Sequence, residues 1–131
     1  MKPDKFGAKD PDCRRTYPWG NEDQDLLAHY RQVAKVRTDH LNLFAFGDLF
    51  TLYAEGEVYV YGRTQGEQAA VLAINRGKEV KELTLNMHGK ISNGVTLTDQ
   101  LEPAYAVATS ENSMRLSLLP LSGRMLVSVA K

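Results

Sequence analysis

Hydrophobic and polar positions divide the chain into an irregular start, one helical stretch and a long region of alternation. Residues 1 to 20 are rich in charge, and their three prolines each bias the preceding residue away from helix. We therefore predict a loop or arm over residues 1 to 20, a helix within residues 21 to 40, and a β domain over residues 41 to 131.

The helix signal begins at Asn21, a residue type that caps helix N-termini, and Gln24 three residues later completes a capping box. Acidic residues in the first turn and basic residues later suit the helix macrodipole. Apolar residues recur on one face, which places the helix at about residues 22 to 38. They are Leu26, Leu27, Tyr30, Val33 and Ala34. Because a lone helix of this length is marginal in water, we expect this face to be covered by the β domain or by a second copy of the chain.

From Leu43 onward the hydrophobic period changes to two, which is typical of strands. Val58 and Val60 are expected to face one way, and Tyr59 and Tyr61 the other. Turn signals separate the alternating runs. They are Glu55-Gly56, Gln65-Gly66, Arg76-Gly77, Ser122-Gly123 and Asn93-Gly94, the last of which is a strong hairpin signal.

The run from Ala69 to Ile74 is continuously apolar, so we expect a strand buried on both faces or in the core of a sandwich. The whole pattern has roughly seven to eight short strands with turn signals between them. It predicts a mainly β fold, an antiparallel Greek-key β-sandwich of seven to eight strands preceded by a loop and one amphipathic α-helix.

Composition narrows the function classes. Sixteen basic residues balance sixteen acidic ones, so no global charge favours nucleic acid or an anionic membrane as a partner. Cys13 is the single cysteine, so an internal disulfide is ruled out. Because no base lies beside it in the sequence, Cys13 is not expected to be a catalytic thiol. The polar N-terminus has no apolar signal region, so we expect a cytoplasmic location unless an upstream signal is missing from this chain.

No His, Cys or Asp spacing resembles a zinc site, and the three histidines are expected at the surface. We predict neither a metal nor a cofactor. Three tyrosines of the first strands, Tyr53, Tyr59 and Tyr61, are candidates for an aromatic sugar platform; cross-strand packing on a half-buried sheet face is the alternative.

Three segments together resemble a known family. Asp10-Pro-Asp-Cys-Arg-Arg15 with Tyr17-Pro-Trp19 resembles the loop after the last barrel strand of cyclomaltodextrinases, neopullulanases and maltogenic amylases. Asp25-Leu-Leu-Ala-His-Tyr-Arg31 resembles the last barrel helix of the α-amylase family, and Leu119-Pro-Leu-Ser-Gly-Arg-Met-Leu-Val127 the closing strands of its C-terminal β-sandwich. The order of these segments across residues 10 to 130 resembles the C-terminal part of such an enzyme.

The resemblance implies a role for this chain in a glycoside hydrolase, but not the catalytic one. Family members act on α-glucans by a retaining route with two carboxylates, which sit on earlier strands of a catalytic barrel. No catalytic residue is therefore carried onto this chain, although the presumed parent is a retaining glycoside hydrolase. We expect a C-terminal accessory domain of an α-glucan hydrolase or transglycosylase, packed on the barrel and stabilising it. The alternatives are a free-standing carbohydrate-binding module and a domain that self-associates through the helix at residues 22 to 38.

The resemblance also implies substrate contacts. Asp10 and Arg14 match the residues that help to hold a glucose unit on the non-reducing side of the cut, where a carboxylate accepts from sugar hydroxyls and a guanidinium donates. The alternative for this pair is a local salt bridge or a solvated pair. Trp19 offers a face for sugar stacking; its alternative is a hydrophobic staple before the Asn21 cap.

Overall fold

The computed structural model describes residues 16 to 129. Contacts divide the chain into two compact units, residues 1 to 32 and residues 33 to 131. The domain boundaries expected at residues 20 and 40 stay predictions. In the described part of the chain, no helix combines the length and the apolar character that crossing a membrane requires.

The only long helix of the described residues, α1, runs over Gln24–Asp39. Its N-cap is Asp23, not Asn21 as expected: the Asp23 carboxylate accepts from the Leu26 N–H at 3.0 Å, and the Asp23 carbonyl accepts from the Leu27 N–H at 2.9 Å. The capping box is wrong for the same reason, since Gln24 becomes the first helical residue and donates to the Glu22 carbonyl. An aspartate two positions later competes successfully for the same role.

The helix end packs through a stripe rotated from the expected one. Val36 is buried and Val33 is partly buried against a cluster of apolar residues on the sheet, whereas Ala34 is exposed. Positions three apart lie on one helix face, so Val33 and Val36 form a short stripe of their own. The β domain thus covers only the last turns of α1, from Val33 onward, whereas Leu26 and Tyr30 of the expected face stay exposed.

A π-helical turn, Asn42–Phe46, follows the helix where strand alternation was expected from Leu43. Leu43 and Phe44 are both buried. A strand would send adjacent side chains to opposite faces, so only a helical turn lets both contact the same core. Gly47 closes this turn, and a Cβ there would lie 2.4 Å from the Leu43 carbonyl oxygen. Any other residue would clash with the backbone.

Eight strands follow, in two antiparallel sheets, and confirm the predicted fold class. The larger sheet has the order β1-β2-β3-β8-β5-β6, and β4 pairs with β7 in the smaller sheet. Strand β8 returns beside β5, so the last four strands follow the Greek-key order with β7 in the opposite sheet. The strands are β1 (Asp48–Glu55), β2 (Val58–Gln65), β3 (Gln68–Asn75), β4 (Lys81–Asn86), β5 (Thr96–Asp99), β6 (Ala106–Ala108), β7 (Ser113–Leu118) and β8 (Ser122–Ser128).

Strand β3 separates two apolar cores and is buried on both faces, as its continuous apolar run predicted. Val71 and Ala73 belong to the main core between the sheets, together with Val58 and Val60 of β2. Ala70 and Leu72 belong to a second core, which the end of α1 and the π-helical turn cover from outside. The larger sheet is therefore packed on both sides of its centre.

Two expected turns have other roles. Asn93-Gly94 does not join a hairpin, because β4 and β5 on either side of it lie in different sheets. Ser122 and Gly123 begin β8 and pair with the end of β3, so the turn lies at Pro120 and Leu121, where Leu121 has a φ of 50°. The sequence pattern did not predict strand β6, because a strand of three residues is too short to show a hydrophobic alternation.

Candidate functional site

The glucose-binding pair expected from the sequence, Asp10 and Arg14, lies outside the described residues, as does Cys13. Its role stays a prediction. Among the residues that are described, no group of three or more His, Cys, Asp or Glu side chains could hold a metal ion.

Trp19 stands in a turn before the helix with 82% of its surface exposed. Its ring meets that of Tyr17 edge to face, with 4.6 Å between the ring centroids. The staple alternative is wrong, because the residue before the Asp23 cap is Glu22 and not an apolar side chain. Trp19 is thus an open aromatic surface, as sugar stacking requires.

The three candidate tyrosines do not share a face. Tyr59 and Tyr61 lie side by side on the outer face of β2, with ring centroids 5.6 Å apart. Tyr61 packs against the second core, and Tyr59 remains 41% exposed. Tyr53 packs against the main core on the other side of the sheet, because the β1–β2 register shifts between Thr51 and Tyr53. A single platform of all three tyrosines is therefore excluded.

The N-terminal half of α1 presents two large apolar side chains. Leu26 is 53% exposed and Tyr30, one helical turn later, is 65% exposed. Together they form an exposed apolar stripe, a feature typical of a surface that a partner covers. His29 of the same helix is exposed, as expected.

The interior of the sandwich contains a buried cation that the sequence analysis missed. The Arg124 guanidinium donates through Nη1 to Asp99 at 2.9 Å and to Glu102 at 3.0 Å, and through Nε to the Ser117 carbonyl at 2.7 Å. Its carbon lies 3.5 Å from the centroid of the Tyr105 ring. The guanidinium therefore ties β8 and β5 of the larger sheet to β7 of the smaller one.

Two acids share this arginine, yet they are not a catalytic pair. Asp99 is buried, and its second oxygen accepts from the backbone N–H groups of Leu101 and Met125. Both of its oxygens accept hydrogen bonds inside the fold and only 1% of the residue is exposed, so no substrate can reach it. The sequence held a signal for this cluster, because residues two apart in a strand share a face. Arg124 therefore faces the same way as the buried Leu126, and Asp99 the same way as the buried Leu97.

Residues 47–119, more than half of the chain, match the family model of the α-amylase C-terminal domain. The chain belongs to this family. An amylopullulanase of Thermoanaerobacterium thermosulfurigenes is 34% identical over 133 residues, which are 93% of the chain and 7% of that protein. A cyclomaltodextrinase of Geobacillus thermopakistaniensis is 34% identical over 83 residues, 60% of the chain and 14% of that protein.

A solved α-amylase of Anoxybacillus shares the fold, with a TM-score of 0.80 and 24% identity over 95% of the chain and 26% of that structure. The predicted family is confirmed, and so is the prediction of a C-terminal domain. The chain spans less than a fifth of the length of the two curated relatives above. Amylopullulanases match over more of the chain than the expected cyclomaltodextrinase does, a relationship that no motif had suggested.

Proposed function

We propose that the chain serves as the C-terminal accessory part of an α-glucan-acting hydrolase or transglycosylase, where it packs on the catalytic barrel and stabilises it. The exposed pair Leu26 and Tyr30 carries this proposal. Each side chain would contribute about 1.5–3 kcal/mol if a partner buried it completely. A glycan-acting enzyme as the parent is supported by the relatives named amylopullulanase and cyclomaltodextrinase.

The chain itself has no catalytic role in this proposal. Its buried acid Asp99 is bound to Arg124 and to backbone donors, and such a carboxylate has no open face for a sugar. The purified chain should therefore release no reducing sugar from maltodextrin or cyclodextrin. Release above the level of a boiled sample would contradict the accessory role.

The docking part of the proposal is tested in the enzyme that contains this chain. Leu26→Asp should lower the Tm of that enzyme by several degrees, because a charge would enter the interface with the barrel. Ala28→Asp is the matched control, since Ala28 is exposed on the opposite face of the same helix. Equal effects of the two substitutions, or none, would contradict docking through this stripe.

Self-association is the second candidate, and the same exposed stripe favours it. Sedimentation of the isolated chain separates the two: a dimer that Leu26→Asp dissociates and Ala28→Asp leaves intact would place a second copy on the stripe. A monomer in all three cases is the result expected for an accessory domain.

The α-glucan contact of the parent is proposed to lie before the helix, at Asp10, Arg14 and Trp19. The 82% exposure of Trp19 supports this assignment. In the enzyme that contains this chain, Trp19→Ala should raise KM for maltodextrin with little change in kcat, because the ring only holds the sugar. Trp19→Phe, which keeps a stacking ring, should recover most of the loss.

A further inference from the structure

A groove of about 530 Å³ opens at the edge of the sandwich, between the turn that joins β1 to β2 and the segment that joins β3 to β4. Its apolar wall comes from Tyr53 and Val58, and Gly56 and Gly77 form part of its rim. The volume lies within the range of ~300–1,000 Å³ that small-molecule sites occupy. All of its lining residues belong to the unit from Val33 onward.

The Tyr53 ring is held in position. Its inner side packs against the main core, and its hydroxyl donates to the Glu55 carboxylate at 3.3 Å. The register shift in β1 turns this ring toward the core side together with Leu52, which is buried. A ring that is already fixed loses little conformational freedom when a ligand stacks on it.

The charges around the groove nearly cancel. Its carboxylates are those of Glu55, Glu57 and Glu79, and its ammonium groups those of Lys78 and Lys81. Glu57 is paired with Arg76 at 2.6 Å. An anionic or cationic ligand would therefore meet groups of both signs and gain little. A neutral ligand rich in hydroxyl groups could donate to the carboxylates and accept from the ammonium groups.

We infer that this groove is a saccharide-binding subsite on the sandwich, which takes sugar units of a neutral oligosaccharide by stacking them on Tyr53. The relatives named amylopullulanase and cyclomaltodextrinase make a maltooligosaccharide the first probe to use. The inference goes beyond the accessory role, because a domain can dock on a barrel without binding sugar.

The test is a titration of the labelled 131-residue chain with maltoheptaose, followed by amide chemical shifts. The expected result is saturable shifts at Gly56, Gly77 and Lys78. Tyr53→Ala should weaken binding by at least about tenfold, the equivalent of 1.4 kcal/mol. Tyr53→Phe keeps the ring and the fold, and should bind within about threefold of the original chain because only the ring hydroxyl is lost.

Tyr59→Ala is the matched control, since this tyrosine lies on the neighbouring strand and faces away from the groove. It should leave the affinity unchanged. Three results would overturn the inference: no shifts at millimolar maltoheptaose, shifts centred on Tyr59 and Tyr61, or equal affinity for Tyr53→Ala in a folded chain. None of these would affect the docking proposal, which is decided by Leu26→Asp.

Discussion

The guanidinium carbon of Arg124 lies over the Tyr105 ring, 3.5 Å from the ring centroid, while the Tyr105 hydroxyl accepts from the Ser117 N–H at 3.0 Å. Arginine and tyrosine thus bond to the same residue of β7, because Arg124 donates to the Ser117 carbonyl. Cation, ring and backbone form one connected unit between the sheets. Such units are costly to break, since each member left behind is a buried polar group without its partner.

Truncating the buried cation should destabilise the sandwich strongly. Arg124→Ala leaves the Asp99 carboxylate buried without its counter-charge, so we expect the free energy of unfolding to fall by about 3–5 kcal/mol. Urea unfolding followed by circular dichroism measures this change. The control is Arg115→Ala on β7, an exposed residue, which should cost less than about 0.5 kcal/mol. Similar costs for both variants would refute the structural role of the cluster.

A glycine of β2 leaves room for an aromatic ring. A Cβ on Gly62 would lie 2.4 Å from the Phe50 ring, so Gly62→Ala should cost about 1–3 kcal/mol through overpacking. The same substitution should cost clearly less in a Phe50→Leu background, where the ring that clashes is absent. A double-mutant cycle by urea unfolding gives the coupling. Strict additivity of the two substitutions would show that the ring is not the cause.

The identity of the helix cap can be measured. Asp23→Ala removes the carboxylate that accepts from the Leu26 N–H, and should cost about 0.5–2 kcal/mol of helix stability. Asn21→Ala, at the position expected from the sequence, should cost little. Helix content by circular dichroism during thermal unfolding compares the two. A larger loss for Asn21→Ala than for Asp23→Ala would show that the cap is Asn21 after all.

Tyr53, the tyrosine of the groove, should lose its proton at a higher pH than an ordinary tyrosine. Burial raises the pKa of Tyr53 above its usual value of 10.0, and the negative charge and hydrogen bond of Glu55 raise it further. Glu55→Gln removes the charge, so the pKa of Tyr53 should move down toward its ordinary value. Ultraviolet titration of phenolate absorbance, with Tyr53→Phe subtracted to isolate this group, measures both values. An unchanged pKa in Glu55→Gln would exclude Glu55 as a cause.

Alternation predicted the β-sandwich because strand parity is a local property. Val58 and Val60 fall on the core side as expected, and the continuous run of β3 correctly indicated burial on both faces. The π-helical turn was missed because burial of both Leu43 and Phe44 depends on a core formed by distant strands. Sequence motifs predicted the family. The groove beside Tyr53 could not be predicted, because it depends on a register shift in β1 that no local sequence pattern indicates.

Strand β3 contributes one face to each of the two apolar cores. Loosening either core removes the support of the strand on which the other core is built. The unit from Val33 onward should consequently melt in a single step, with the last turns of α1 lost together with the sheets. A partner that binds the sandwich will therefore protect the end of the helix from unfolding, even where the two never touch.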